Sequence, residues 1–443
     1  MNNRKTSSHQ LLKMGTAALA FSLIMASNSQ AQVVVSTIAG NGNAAHTDGY
    51  QQQASFNHPL GIALNIDKNL YVAESVAGYI RKIKPTGMVT SLAGNGNTVG
   101  SQNVVDGIGS AAGFSRPHGL ANGPDGTLYT FNYHSQYLRK ISLTGQVTTI
   151  AGCGHQGQTD GPFGVGCFYN AHDMDVDAAG NIYGLDGWPW SRIRKVSPNG
   201  VITTLSLSGN FGVPAHSTAP LAGQGITVLP TGVIYVADTS RHQIRRISPS
   251  GYVTLVAGSG TAGDSDGQGA AASFDHPNGL DHDSAGNLYV ADMRNNKIRK
   301  ITPSGKVTTI AGTGISANVD GLAASAQFVA PWDVAVNNTG SLIYVNDQDH
   351  RIRKITCKLK IGTLGGGLLV RDPKETVKSR AATTPSPRVI YEDICTPRTV
   401  GPIIGRPDIA SSIGPKKLKP AQAIVDEGAK PLTAEKLSPA KRK

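Results

Sequence analysis

Asp349-His350-Arg351-Ile352-Arg353-Lys354-Ile355 ends a phrase that returns along almost the whole chain. The arginine of its Ile-Arg-Lys-Ile core recurs at Arg81, Arg139, Arg194, Arg245, Arg299 and Arg353, at intervals of 58, 55, 51, 54 and 54 residues. Around each copy the same order is read: Pro-x-Gly with an apolar residue, then Gly-x-Leu/Ile-Tyr, then the arginine motif, then Gly-x-Val-Thr-Thr-Ile-Ala-Gly. Self-similarity near this period, with four short apolar runs per unit, predicts the blades of a β-propeller.

Each unit divides into four strands. The inner one follows the proline, as in Gly61-Ile62-Ala63-Leu64, Gly119-Leu120-Ala121 and Val334-Ala335-Val336. A tight turn such as Asp125-Gly126 leads to the second strand, for example Leu288-Tyr289-Val290-Ala291. The third carries Ile-Arg-Lys-Ile, and turns such as Pro303-Ser304-Gly305 deliver the fourth. In Ile-Arg-Lys-Ile and Val-Thr-Thr-Ile, apolar and polar residues alternate between faces. A fourth-type strand at Val34–Ala39 precedes every inner strand, whereas the last repeat stops at Cys357 without one. The N-terminal strand therefore completes the sixth blade, and closure removes free sheet edges. The expected fold is all-β: six blades in one ring, over residues 32–358.

The two ends read differently. Arg4, Lys5 and Lys13 precede an apolar stretch, Met14 to Met25, too short to span a bilayer, and Ser29-Gln30-Ala31 offers small residues for cleavage. Residues 1–31 are thus expected to be a signal peptide, which places the chain in the periplasm or outside the cell, with no membrane span after cleavage. The formal charge of +12 is concentrated at the ends, +3 in the leader and +8 from Leu359 onward. The repeats stay near neutrality and lack the footprint of a nucleic-acid binder. Residues 359–413 hold short apolar runs expected to pack on or near the propeller. Residues 414–443 are Lys-, Pro- and Ala-rich, expected to be disordered and able to meet an anionic envelope polymer. Four cysteines suit an oxidising compartment, and the economical pairings are 153–167 and 357–395.

The repeat resembles the NHL family on Gly286-Asn287-Leu288-Tyr289-Val290-Ala291-Asp292 and Asp349-His350-Arg351-Ile352-Arg353-Lys354-Ile355, across roughly residues 33–357. That resemblance implies the propeller but not one activity. Residues present in every blade serve the blade. This covers the acid after the second strand (Glu74, Asp186, Asp238, Asp292, Asp347, with Asn132 in blade two), read as turn-forming or paired with the arginine, and the loop Asp-Gly pairs at Asp48, Asp106, Asp160, Asp266 and Asp320.

What breaks the repeat gathers on one face. Trp188, Trp190 and Trp332, with Tyr133, His134, Tyr137 and the entrance residue Arg116, form the expected ligand-binding face. His118 and His172 stand at aligned strand entrances, with Asp173 beside them and His58, His276 and Asp333 nearby. The motifs Pro117-His118-Gly119-Leu120 and His172-Asp173-Met174 resemble those of peptidyl-hydroxyglycine lyases, which implies zinc at such histidines. In that family the motif histidines lie about two blades apart, whereas these occupy adjacent blades, and a third ligand has only His46 and His155 as loose candidates. Pro277-Asn278-Gly279-Leu280 is similar to the asparagine metal-ligand segment of gluconolactonase-like propellers. Zinc at His118, His172 and Asp173, or calcium at a loop such as Asp264-Ser265-Asp266-Gly267, are the ions these residues would admit. Two functions follow: a recognition module that binds a protein, peptide or glycan on its loop face, or a metal-dependent lyase or lactonase at the channel mouth.

Overall fold

The computed structural model describes residues 30–96, 104–187, 191–209, 221–360, 391–392 and 396–397. Residues 1–29 of the expected signal peptide, nearly all of 361–443, Trp188, Trp190 and Cys395 lie outside them. Six sheets form the blades, each with four antiparallel strands ordered inner strand, second, third, outer. The inner strands are Pro59–Leu64, Pro117–Asn122, Ala171–Val176, Gly225–Val228, Pro277–His282 and Pro331–Val336. The sixth blade is closed by Gln30–Ala39, with Val33 opposite Cys357, Val35 opposite Ile355 and Thr37 opposite Arg353. This strand starts earlier than Val34, since Gln30 and Ala31 pair with Lys360 and Leu359.

Five blades carry a fifth strand that four-strand repeats do not announce. The connection entering each blade first runs two residues along that blade's outer edge: Gly49–Tyr50, Gly107–Ile108, Ser208–Gly209, Gly267–Gln268 and Gly321–Leu322. Blade three has a single bridge there, Gly161 to Ile202. The loop thereby uses hydrogen-bonding groups that an outer edge would otherwise present to another chain.

Apolar side chains fill six clusters between consecutive blades. Between blades six and one, Ala39, Phe56, Ile62, Leu70, Val72, Ile83, Val89, Tyr344 and Ile352 are buried together. Each large side chain so buried contributes about 1.5–3 kcal/mol. A bulge recurs in the outer strand beside the arginine, so that Ile80 faces Ala93 while Arg81 faces Ser91. The extra residue, Leu92, packs into the cluster of the next blade, as do Ile38, Ile150, Val256 and Ile310 in theirs.

The arginine does not face water. Arg81, Arg139, Arg194, Arg299 and Arg353 are completely buried beneath the incoming loop. Arg299 donates to Asp292 at 2.7 Å, to Asp266 at 2.8 Å, and to the carbonyls of Ser273 and Ser265. Its guanidinium also lies 5.1 Å from the centre of the Phe274 ring. Asp266 in turn accepts the Thr309 amide and hydroxyl of the outer strand. Equivalent contacts hold Arg81, Arg194 and Arg353. The loop aspartates are thus spent on arginine, and Asp264 on Lys297 at 2.7 Å, where calcium was the other expectation. In blade two Asn132 replaces the acid, so Arg139 keeps only Asp106 of the two carboxylates.

Candidate functional site at the channel mouth

Five of the six inner strands begin on a sharp turn. His58, Arg116, Asn170, His276 and Ala330 hold φ between 44° and 55°, a left-handed conformation costly for residues other than glycine. The turn places one side chain per blade around the axis. Leu60, His118, His172, Gln224, Asn278 and Trp332 line one narrow cavity of about 10 Å³ at the mouth. No two blades except the second and third share a residue type there. Asn278 is 2% exposed, and its Nδ2 meets no hydrogen-bond partner among the described residues.

One step deeper the ring reads Gly61, Gly119, Asp173, Gly225, Gly279 and Asp333. A Cβ on Gly279 would stand 2.0 Å from Asp333 Oδ1, and one on Gly119 would stand 2.7 Å from Asp173 Oδ1. The carboxylates fill the space their glycine neighbours leave. Asp173 Oδ2 accepts the Ile226 amide at 3.0 Å and Asp333 Oδ2 the Ile62 amide at 3.1 Å, each from the following blade. Below them Asp175 accepts the Val228 amide at 2.7 Å and the Thr227 hydroxyl at 2.9 Å, and Asp281 accepts the Val336 amide at 2.7 Å. These four acids line a second cavity of about 80 Å³. Burial, strengthened by mutual repulsion, pushes Asp173 up to about 7, Asp281 to about 6 and Asp333 well above the carboxylate range.

The histidines pack with aromatics. His118 and His172 lie edge to face at 5.3 Å, and Tyr133 stacks on His118 at 4.6 Å while standing edge-on to His172 at 5.2 Å. Burial depresses His118 far below its ordinary value and His172 to about 4, so both are neutral at pH 7. Arg116 and His134 are exposed beside them, and the Arg116 charge bears on His118, His134 and Tyr133. Tyr169, 40% exposed, bears on Tyr133 from the next blade.

The structure therefore gathers Arg116, Tyr133, His134, His118, His172, Asp173 and Trp332 at one mouth. Tyr137 sits apart, 6.4 Å from Phe163 in the long loop stapled by the Cys153–Cys167 disulfide. The 357–395 pairing and the Trp188–Trp190 pair fall outside the described residues. His46 stacks on Tyr79 and bonds Glu74 at 2.7 Å, within blade one's own network. Among the described residues, three metal-donor atoms come within 4.8 Å of one another at Cys153–His155–Cys167 and at His242–Asp275–His276. The first is a disulfide, and neither includes His118, His172 or Asp173. Asn278, the asparagine of the gluconolactonase-like segment, lies in this ring, whereas Leu60, Gln224 and Tyr169 are not singled out by the sequence. The signal is present for Leu60 and Gln224, since the residue after the conserved entrance differs from blade to blade.

A model of the NHL repeat matches residues 224–247. NHL repeat-containing protein 2 of Gallus gallus is 30% identical over 312 residues, covering 60% of this chain and 42% of that protein. Protein SUPPRESSOR OF QUENCHING 1, chloroplastic, of Arabidopsis thaliana is 29% identical over 285 residues, covering 58% of this chain and 26% of that one. The chain thus spans less than half the length of either relative. Two solved structures share the fold, each covering 74% of this chain and 77% of its own. One is a Bacteroides thetaiotaomicron protein of unknown function (TM-score 0.57, 20% identity). The other is an auxiliary nutrient binding protein from the same organism (TM-score 0.57, 18% identity). Repeat, relatives and architecture agree: the chain is a six-bladed β-propeller that carries an NHL repeat and is similar to NHL repeat-containing proteins.

Proposed function

We propose that this protein is an exported recognition module that binds a protein, peptide or glycan across the mouth face, over blades two and three and Trp332 of blade six. The observation that carries the reading is the contrast between the two kinds of polar group. The arginines and acids of the repeat are consumed inside the blades, while Arg116, Tyr133, His134, Tyr169 and Trp332 break the repeat and cluster at one opening. A mouth of about 10 Å³ is far below the few hundred cubic ångströms of a small-molecule pocket. A ligand therefore lies over the rim and uses aromatic and arginine contacts, the residue types that dominate recognition surfaces. The similarity to a protein described as nutrient binding supports a binding role.

The test is retention of a defined panel of immobilised peptides and oligosaccharides by the full chain and by R116A, Y133A and W332A. A ligand held by the natural protein and released by these variants, with unfolding midpoints preserved, is the expected result. Absence of any retained ligand, or equal retention by all variants, sinks the reading.

A further inference from the structure

The seams between blades carry a second repeated device, and at one seam it becomes a chelating set. The residue that ends the second-to-third strand turn adopts a left-handed conformation, and its side chain accepts the backbone amide of the residue entering the next blade. His350 accepts from His58 at 3.2 Å, Gln136 from Asn170 at 2.8 Å, His242 from His276 at 3.1 Å and Asn296 from Ala330 at 2.9 Å. Two seams therefore bring paired imidazoles together: His350 with His58 at 5.1 Å between ring centres, and His242 with His276 at 4.8 Å.

What separates the two is the preceding residue. It is Asn57 at the seam of blades six and one, but Asp275 at the seam of blades four and five. Asp275 Oδ1 lies 2.7 Å from His276 Nδ1 and 3.6 Å from His242 Nδ1. The 3.6 Å spacing is close to the roughly 3.3 Å separation of donors around a four-coordinate ion with bonds near 2.0–2.1 Å, and the 2.7 Å one is a hydrogen bond that opens by about 0.6 Å to admit the ion. The entrances of blades two, three and six have Ser115, Tyr169 and Val329 there, none of which supplies a carboxylate. The set is held from both sides, since the Asp275 amide donates to Asp292 and its carbonyl accepts from Arg294. All three side chains remain partly open to solvent, so an ion has a path in.

We propose that His242, Asp275 and His276 form a site for a divalent transition metal, with zinc as the reference ion. Two imidazoles and one carboxylate are a donor set suited to zinc, and three protein ligands leave a fourth position open. The proton that His276 Nδ1 shares with Asp275 moves to the Nε2 of the same ring when Nδ1 takes the ion, and His242 Nδ1 exchanges the His276 amide hydrogen bond for the metal. Because His242 belongs to blade four and the other two to the entrance of blade five, the ion staples a seam otherwise joined there by a hydrogen bond. The proposal is independent of what the mouth face binds.

Zinc is titrated into the untagged, chelator-stripped full chain with its disulfide oxidised, followed by calorimetry, and cobalt(II) is titrated separately and followed by absorption. About one equivalent is expected, with the absorption of four-coordinate cobalt. D275N, which gives this seam the Asn-His-His set of the other, should weaken binding at least tenfold while leaving the unfolding midpoint of the metal-free protein within a few degrees. N57D, which gives the other seam an acid, should raise the stoichiometry to two. No binding at millimolar zinc, unchanged affinity in D275N, or a stoichiometry that N57D fails to raise each overturns the assignment.

Discussion

Asp333 Oδ2 accepts the Ile62 amide at 3.1 Å, joining the inner strand of the last blade to that of the first across 271 residues. Asp173 makes the same bond to Ile226 half a ring away. Both acids hold raised pKa values because burial disfavours their charge. A folded-state value above the unfolded value of about 3.9 means that the native protein binds more protons than the unfolded chain between them. Stability from these groups is therefore greatest below about pH 4 and falls as pH rises toward about 7. D333N keeps an accepting oxygen and removes the charge. It should stabilise the protein by about 1–3 kcal/mol at pH 8 and have little effect at pH 4. Urea unfolding at the two values measures this.

The buried arginines give a second expectation. Arg299 is closed by Asp292 and Asp266, and D292N removes the fully buried partner and leaves the guanidinium with the half-exposed Asp266. D292N should cost about 1–3 kcal/mol. Blade two offers the reverse experiment, because Asn132 is buried with neither amide atom bonded among the described residues and burial lowers the Arg139 pKa. N132D should restore the pair and add roughly 1 kcal/mol. Denaturant midpoints with unchanged slopes decide both, and a D292N variant as stable as the parent would refute this account of the hub.

The Cys153–Cys167 bond closes a loop across a sequence separation of 14. Replacing both cysteines by serine should lower stability by about 2–4 kcal/mol, on the loop-entropy estimate. Thermal unfolding of the double variant against the oxidised parent checks the value.

His118 and His172 should stay neutral throughout the physiological range. Burial disfavours the imidazolium, and His172 is expected to titrate near 4 and His118 well below its ordinary value. Histidine Cε1–Hε1 shifts followed by NMR from pH 8 to pH 4 report this directly. A midpoint above 6 for either ring would contradict the packing described at the mouth. With both rings neutral, any loss of ligand affinity between pH 8 and 6 must come from other groups.

The sequence alone determined the ring. Six copies of one phrase fix six blades, and an orphan strand at the front with a missing one at the back fixes the closure, because hydrogen-bonding edges must be paired. It also separated the arginines and acids of the repeat from Tyr133, His134, His118, His172 and Trp332, and paired Cys153 with Cys167. It read Ile-Arg-Lys-Ile as simple alternation, and there tertiary structure decided otherwise. Period 2 gives a side chain's face, but whether that face meets water depends on the incoming loop, which lies over Arg81 and its equivalents. The ring of Leu60 and Gln224 with the singled-out residues, and the meeting of His242 with Asp275 and His276, were likewise settled by the fold. These side chains come from different blades, about 34 to 270 residues apart. Only closure of the propeller puts them within reach of one another.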